Sequence, residues 1–134
     1  MMTITPNFLM AIALGGALGA LARFFTQHYI SLWLGLQFPW GTLVANVLGC
    51  FILGLLTGFW ANQIVPISPE IRGVIVIGFL GAFTTFSAFS LDTLVLFQSG
   101  DVLRAAMNVC LNIILCLFAV GLGYWLTRST AAIT

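Results

Sequence analysis

Residues 78–90 read Gly78-Phe79-Leu80-Gly81-Ala82-Phe83-Thr84-Thr85-Phe86-Ser87-Ala88-Phe89-Ser90, and this run decides how the chain is built. It is apolar enough for a helix that crosses lipid. Two glycines, two adjacent threonines and the serines nevertheless weaken that helix from within, through backbone entropy and restricted β-branched rotamers. Two readings follow. In one, the helix is broken in mid-membrane, which lipid tolerates only where unpaired backbone lines a cavity or holds an ion. Carbonyls freed in this way suit a cation, while freed N–H groups and hydroxyls suit an anion. In the other, the helix is continuous and its Ser and Thr hydroxyls bond back to carbonyls one turn earlier.

The phenylalanines around this stretch have a chemistry of their own. A Phe ring is positive at its edge, so ring edges can line an anion path without a strongly binding cation. Conduction needs weak, repeated binding, which a lysine or arginine in the path would defeat. An aromatic stripe also serves plain packing, and the residues alone leave both uses open.

Working outward, about 20 apolar residues are needed to span the hydrocarbon core, and four stretches meet that length: 8–29, 40–61, 72–97 and 102–126. The turns between them are Gln37-Phe38-Pro39, the polar run 62–70 and Gln98-Ser99-Gly100-Asp101. The runs are continuous and lack period-two alternation, which argues against a β-barrel. The expectation is an all-α membrane protein, one four-helix transmembrane domain over 1–134, with the third helix broken. Met1 to Asn7 has no basic segment, and the first apolar stretch exceeds a signal-peptide core, so it is expected to be retained.

Composition agrees. Of 134 residues, 61% are hydrophobic and 5% charged, against about one-quarter charged in a soluble domain. Four arginines, two aspartates and one glutamate could not coat a water-soluble globule. They also offer no basic patch for nucleic acid. Cys50, Cys110 and Cys116 lie inside apolar segments without metal-ligand spacing and read as small packing residues.

Orientation normally follows Lys and Arg in cytoplasmic loops. With four spans, Arg72 and Arg128 fall on one side, and Arg104 and Arg23 on the other. This two-against-two balance permits insertion either way up and pairing of opposed copies. Small residues spaced four apart support close helix packing: Gly15 with Gly19, Gly16 with Ala20, Ala45 with Gly49, and Gly54 with Gly58. They do not say which helices meet.

Polar groups at membrane depth are costly and usually functional. The shortlist is Arg23 and Asn46, together with Asn108, Asn112 and Cys116 at successive i, i+4 positions. Interhelical hydrogen bonding alone is the competing use of these asparagines.

Three motifs now converge. The first helix carries Gly15-Gly16-Ala17-Leu18-Gly19-Ala20-Leu21-Ala22-Arg23. The second carries Gly41-Thr42-Leu43-Val44-Ala45-Asn46. The third carries Gly81 followed by Thr84-Thr85-Phe86-Ser87-Ala88-Phe89. In this order, on a four-helix chain, they resemble the Fluc (CrcB-like) fluoride channels over nearly the whole length.

The resemblance implies an antiparallel, dual-topology homodimer in the lipid of the inner (plasma) membrane, exporting fluoride passively and conferring fluoride resistance. It implies a structural Na⁺ at the dimer centre, held by backbone carbonyls of Gly81 and Thr84 from each copy. Phe86 and Phe89 would be the pore-facing rings. Asn46 would hydrogen-bond near the ion path, Ser87 and Thr42 would be further polar contacts, and Arg23 would draw anions inward. Ala88 departs from the family's usual Thr. Cys116 and Val120 stand where the family often has Ser and Thr, so the polar track would be shorter here or carried by Asn112.

No phosphate-binding loop and no nucleophile–base pair is present, so an enzyme is not expected. The rival is a proton-coupled exporter like the small multidrug resistance proteins, also four-helix and dimeric. That chemistry needs a titratable group in the membrane, typically a carboxylate in the first helix. Glu70 and Asp101 flank helices and Asp92 comes late in the third. A membrane scaffold, with the interruption serving only to pack helices, is the remaining reading.

Overall fold

In the computed structural model, residues 4–61, 63 and 67–130 are described. The ends 1–3 and 131–134 lie outside the described residues, as do Asn62 and residues 64–66 of the expected second loop.

Four apolar rods make up the molecule. Helix α1 is Pro6–Leu34 and α2 is Trp40–Ala61. The third rod divides into α3, residues 69–83, and α4, Phe86–Gln98. The last rod, α5, is Val102–Thr130. Each is long and apolar enough to cross a membrane: Pro6–Leu34, Trp40–Ala61, Pro69–Gln98 and Val102–Arg128. Even the 22-residue α2 spans about 33 Å at 1.5 Å per residue, enough for a hydrocarbon core of about 30 Å. The chain is thus an all-helical, multi-pass membrane protein.

Local chemistry sets the ends. The Thr5 hydroxyl accepts the Phe8 N–H at 3.2 Å and Pro6 occupies the first turn, so α1 starts before Phe8. It runs on past Tyr29 because nothing stops it until Gly35, whose φ of 87° ends the helix. Ser68 caps Ile71 N–H at 3.3 Å ahead of Pro69, which moves the third rod's start back from Arg72.

Within α3, Pro69–Arg72 is α-helical, Gly73–Leu80 is wound as a π-helix and Gly81–Phe83 returns to the α form. Bonding from i to i+5 brings residues five apart back towards one side of a helix. Gly73 and Gly78 are five apart, and both face α1. A Cβ on Gly73 would lie 2.9 Å from Phe8 Cε2, and one on Gly78 would lie 2.7 Å from Ile12 O. The wider winding therefore puts two glycines where α1 approaches most closely.

Close approach of backbones organises the remaining contacts. A Cβ on Gly15 would stand 3.0 Å from Phe79 N, and one on Gly19 would stand 2.9 Å from Phe79 Cα, so α1 lies directly on α3. Gly49 receives Thr84 and Phe83, while Gly54 and Gly58 receive Val120 and Tyr124 of α5. Gly16 plays no such part on its own account, having open space where a Cβ would go.

The distribution of polarity is inverted relative to a soluble protein. Leu18, Phe24, Trp33 and Leu117 are exposed, while Thr42, Asn46, Thr85, Asn108 and Asn112 are buried. Asn108 is the largest fully buried side chain, at 0% exposure. Lipid accepts the apolar surface, and the polar groups turn inward to find partners.

Candidate functional site

After Phe83 the chain leaves the helix for two residues: Thr84 (φ −80°, ψ 153°) and Thr85 (φ −153°, ψ 115°) are extended. Gly81 is not one of them. It stays helical at φ −62°, ψ −34°. The interruption thus falls on the β-branched pair, which extended backbone suits, and not on the glycine.

Asn46 reaches across from α2 to hold the second of them, Thr85. Its Oδ1 accepts the Thr85 N–H at 2.7 Å, and its Nδ2 donates to the Thr85 carbonyl at 3.2 Å. One amide side chain therefore satisfies both sides of the Thr85 backbone, as a neighbouring strand would. Nδ2 also donates to Asn112 Oδ1 at 3.0 Å. Asn112 donates in turn to the Asn108 carbonyl and Oδ1, each at 3.0 Å. Asn108 then donates to Thr93 Oγ1 at 2.9 Å. The chain of bonds crosses α2, α5 and α4.

Two carbonyls lose their helical partners as a result. In a continuous helix the Thr85 N–H would close on the Gly81 carbonyl, but it is given to Asn46. The Ala88 N–H would close on the Thr84 carbonyl, but it caps α4 by donating to Thr85 Oγ1 at 3.1 Å. Gly81 is moreover exposed. Carbonyl oxygens released in this way are the donor set a hard cation takes, so the residues present fit Na⁺.

Beside the interruption lies a groove of about 350 Å³, lined by Asn46, Thr84, Phe86, Phe89, Asn112 and Cys116 among others. The rings of Phe86 and Phe89 are 5.1 Å apart and tilted by 57°. They differ in setting: Phe89 is 8% exposed, whereas Phe86 is 78% exposed. One turn along α2 and α4, a second cavity of about 430 Å³ holds Gln27, Thr42 and Asp92. There the Gln27 amide donates to Thr42 Oγ1 at 3.2 Å, and the Thr42 hydroxyl donates to Asp92 Oδ2 at 2.7 Å.

The sites singled out from the sequence are therefore not all gathered in one place. Asn46, Thr84, Phe86, Phe89 and Asn112 share the groove, and Thr42 lies in the second cavity. Ser87 is exposed, with its Oγ 3.1 Å from Thr85 Oγ1. Arg23 is half-buried on α1, outside both linings. Among the described residues, the ion pair joins Arg104 to Asp101 at 2.9 Å instead.

Sequence reasoning passed over Thr85, Thr93 and Gln27, and set Asp92 aside. Thr85 carried no signal beyond its neighbour Thr84. Asp92 had one: a carboxylate inside an apolar run needs a donor, and Thr42 provides it.

A family model for CrcB-like protein, Camphor Resistance (CrcB), matches residues 10–124. The chain is 50% identical over 123 residues to a fluoride-specific ion channel FluC of Methylococcus capsulatus, covering 92% of this chain and 54% of that protein. It therefore spans about half the length of that relative. Fluoride-specific ion channels FluC of Shewanella sp. strain ANA-3 and Shewanella oneidensis are each 48% identical over 123 residues, covering 92% of this chain and 98% of theirs. With the model spanning all four rods and the motifs of three helices in place, the chain belongs to the CrcB-like family.

Proposed function

We propose that this chain is a fluoride-selective channel that releases cytoplasmic fluoride passively across the inner membrane. In this reading two copies pair antiparallel, their third rods are broken within the bilayer, and a Na⁺ sits where the two interruptions meet. One observation carries it: a groove in which an Asn46-held interruption meets the Phe86–Phe89 pair, in a chain similar to fluoride-specific channels.

Fluoride is small and holds its water tightly, so a path must offer replacement donors without trapping the ion. The amides of Asn46 and Asn112 are engaged with Thr85, with Asn108 and with each other. They shape the groove more than they solvate an ion. What the groove offers an anion is the positive ring edges of Phe86 and Phe89, with the exposed Ser87 hydroxyl beside them. Such contacts are individually weak, as conduction requires. Arg23 precedes Gln27 by one turn of α1 and would draw anions towards the second cavity; Thr42 lies in its wall.

The 78% exposure of Phe86 supports a partner copy. A ring meant for an ion path is left open by a single chain and enclosed only between two. The Gly81 and Thr84 carbonyls of each copy, released from their helical amides, would together hold the one Na⁺ between the copies. Bound there, the cation supplies a fixed positive charge and links the copies. The even division of the four arginines supports opposed orientations.

No energy source is needed. Fluoride enters from acidic surroundings as neutral HF, dissociates in the less acidic cytoplasm and is trapped as the anion, so an open path exports it.

Purified protein in liposomes, followed with fluoride- and chloride-selective electrodes, tests both parts. Fluoride should be released and chloride retained, and equal release of the two would sink the reading. Exchanging Na⁺ on both faces for N-methylglucamine should slow fluoride release or weaken the dimer. Indifference of both after prolonged exchange contradicts the Na⁺ site.

A further inference from the structure

Helices α2 and α5 run parallel in a fixed register. Asn46 bonds to Asn112, Gly54 meets Val120 and Gly58 meets Tyr124, each pair separated by the same number of residues. The turn between the first two pairs holds Cys50 and Cys116, which share that offset. Both line the groove beside Asn46, Phe86 and Phe89, and both are free thiols. Two thiols are thus set opposite one another, between a hydrogen-bonded pair of side chains and a direct backbone contact.

We propose that Cys50 and Cys116 form a two-thiol site for a soft, linearly coordinating divalent cation of the Hg²⁺ class. Thiolate selects soft metals over the hard ions met elsewhere in a membrane protein. Charge then selects among soft metals. Binding follows 2 R–SH + Hg²⁺ → R–S–Hg–S–R + 2 H⁺, so the bound form is neutral. A monovalent soft ion between two thiolates would leave a net negative charge in lipid, which is costly to bury. The third cysteine, Cys110, is exposed on another face of α5 and lies outside the groove. The consequence for transport rests on the channel reading: a metal held between α2 and α5 stands in the wall of the anion groove and obstructs it.

The test uses full-length protein carrying Cys110→Ala, titrated with mercuric chloride. Metal content and remaining maleimide-reactive thiol are measured, and bound metal is then challenged with 2-mercaptoethanol. One Hg²⁺ per chain should consume both thiols together. Stripping the metal should take at least about 100-fold more monothiol than for Cys50→Ala or Cys116→Ala in the same background, because the second thiol acts at high effective concentration. Two metals per chain, one metal shared by two chains, or equal stripping from all three proteins would overturn the site. In liposomes, mercuric chloride should suppress fluoride release by the Cys110→Ala protein, dithiothreitol should restore it, and the single-thiol variants should be far less affected. Absence of fluoride release before any metal is added would fail the channel reading and leave the thiol site to be judged on its stoichiometry.

Discussion

One pair of helices joins in two ways. Where Gly54 and Gly58 of α2 meet Val120 and Tyr124 of α5, the backbones touch directly. Two turns away, Asn46 meets Asn112, and the helices are joined by side-chain amides with a groove of about 350 Å³ beside them. Register and helices are the same, but the chemistry of attachment differs. Lipid gives helices no hydrophobic reason to associate, so contact comes either from glycine-permitted packing or from polar groups that must find partners. The first closes the seam. The second keeps it open enough to form a groove, and its Asn46 also holds the Thr85 backbone out of the helix.

The largest effect is expected at the polar end. Asn46→Leu removes the partner of the Thr85 N–H, the Thr85 carbonyl and Asn112 Oδ1 at once. Each buried group left unsatisfied costs about 1–3 kcal/mol. The variant should lose most of its folded yield in detergent. A parental unfolding temperature would show that the asparagine does not hold the interruption.

At the packed end, Gly54→Val drives a side chain into the Val120 backbone and should cost about 1–3 kcal/mol by overpacking. Gly121→Ala, at the residue after Val120 on α5, points into open space and, because Ala loses less backbone entropy in a helix than Gly, should not lower the unfolding temperature. Equal effects of the two would contradict the close approach. A smaller loss than that of Gly54→Val belongs to Thr127, whose hydroxyl donates to the Leu55 carbonyl at 3.0 Å across the same seam. Thr127→Val should cost about 0.6 kcal/mol, the average of such bonds in a membrane protein. A loss as large as that of Gly54→Val would mean that hydrogen bonding, not packing, closes this end.

The two ends were unequally legible in the sequence. The four apolar runs announced the rods, and Trp40–Ala61 starts and stops where its apolar stretch does. The spacing of Gly54 and Gly58 marked a close contact without naming α5, because a small residue carries no information about its partner. Asn108 and Asn112 stood out by their i, i+4 spacing. Thr85 did not, since its importance comes from Asn46, distant in sequence and adjacent only after folding. The π-winding of Gly73–Leu80 was equally invisible. It answers to the glycine contacts with α1, which local propensity does not contain. Gln27, Thr42 and Asp92 likewise come from three different helices, and no short motif holds them together.

The central claim is that fluoride passes along the groove edged by Phe86 and Phe89. Fluoride release from liposomes should be measured for Phe86→Ile and Phe89→Ile beside the parent, with each confirmed as a folded dimer by size-exclusion chromatography. Replacing a ring by an aliphatic side chain of comparable bulk removes the positive edge. Release should fall well below the parental rate in each variant. Release at the parental rate from both would contradict the account.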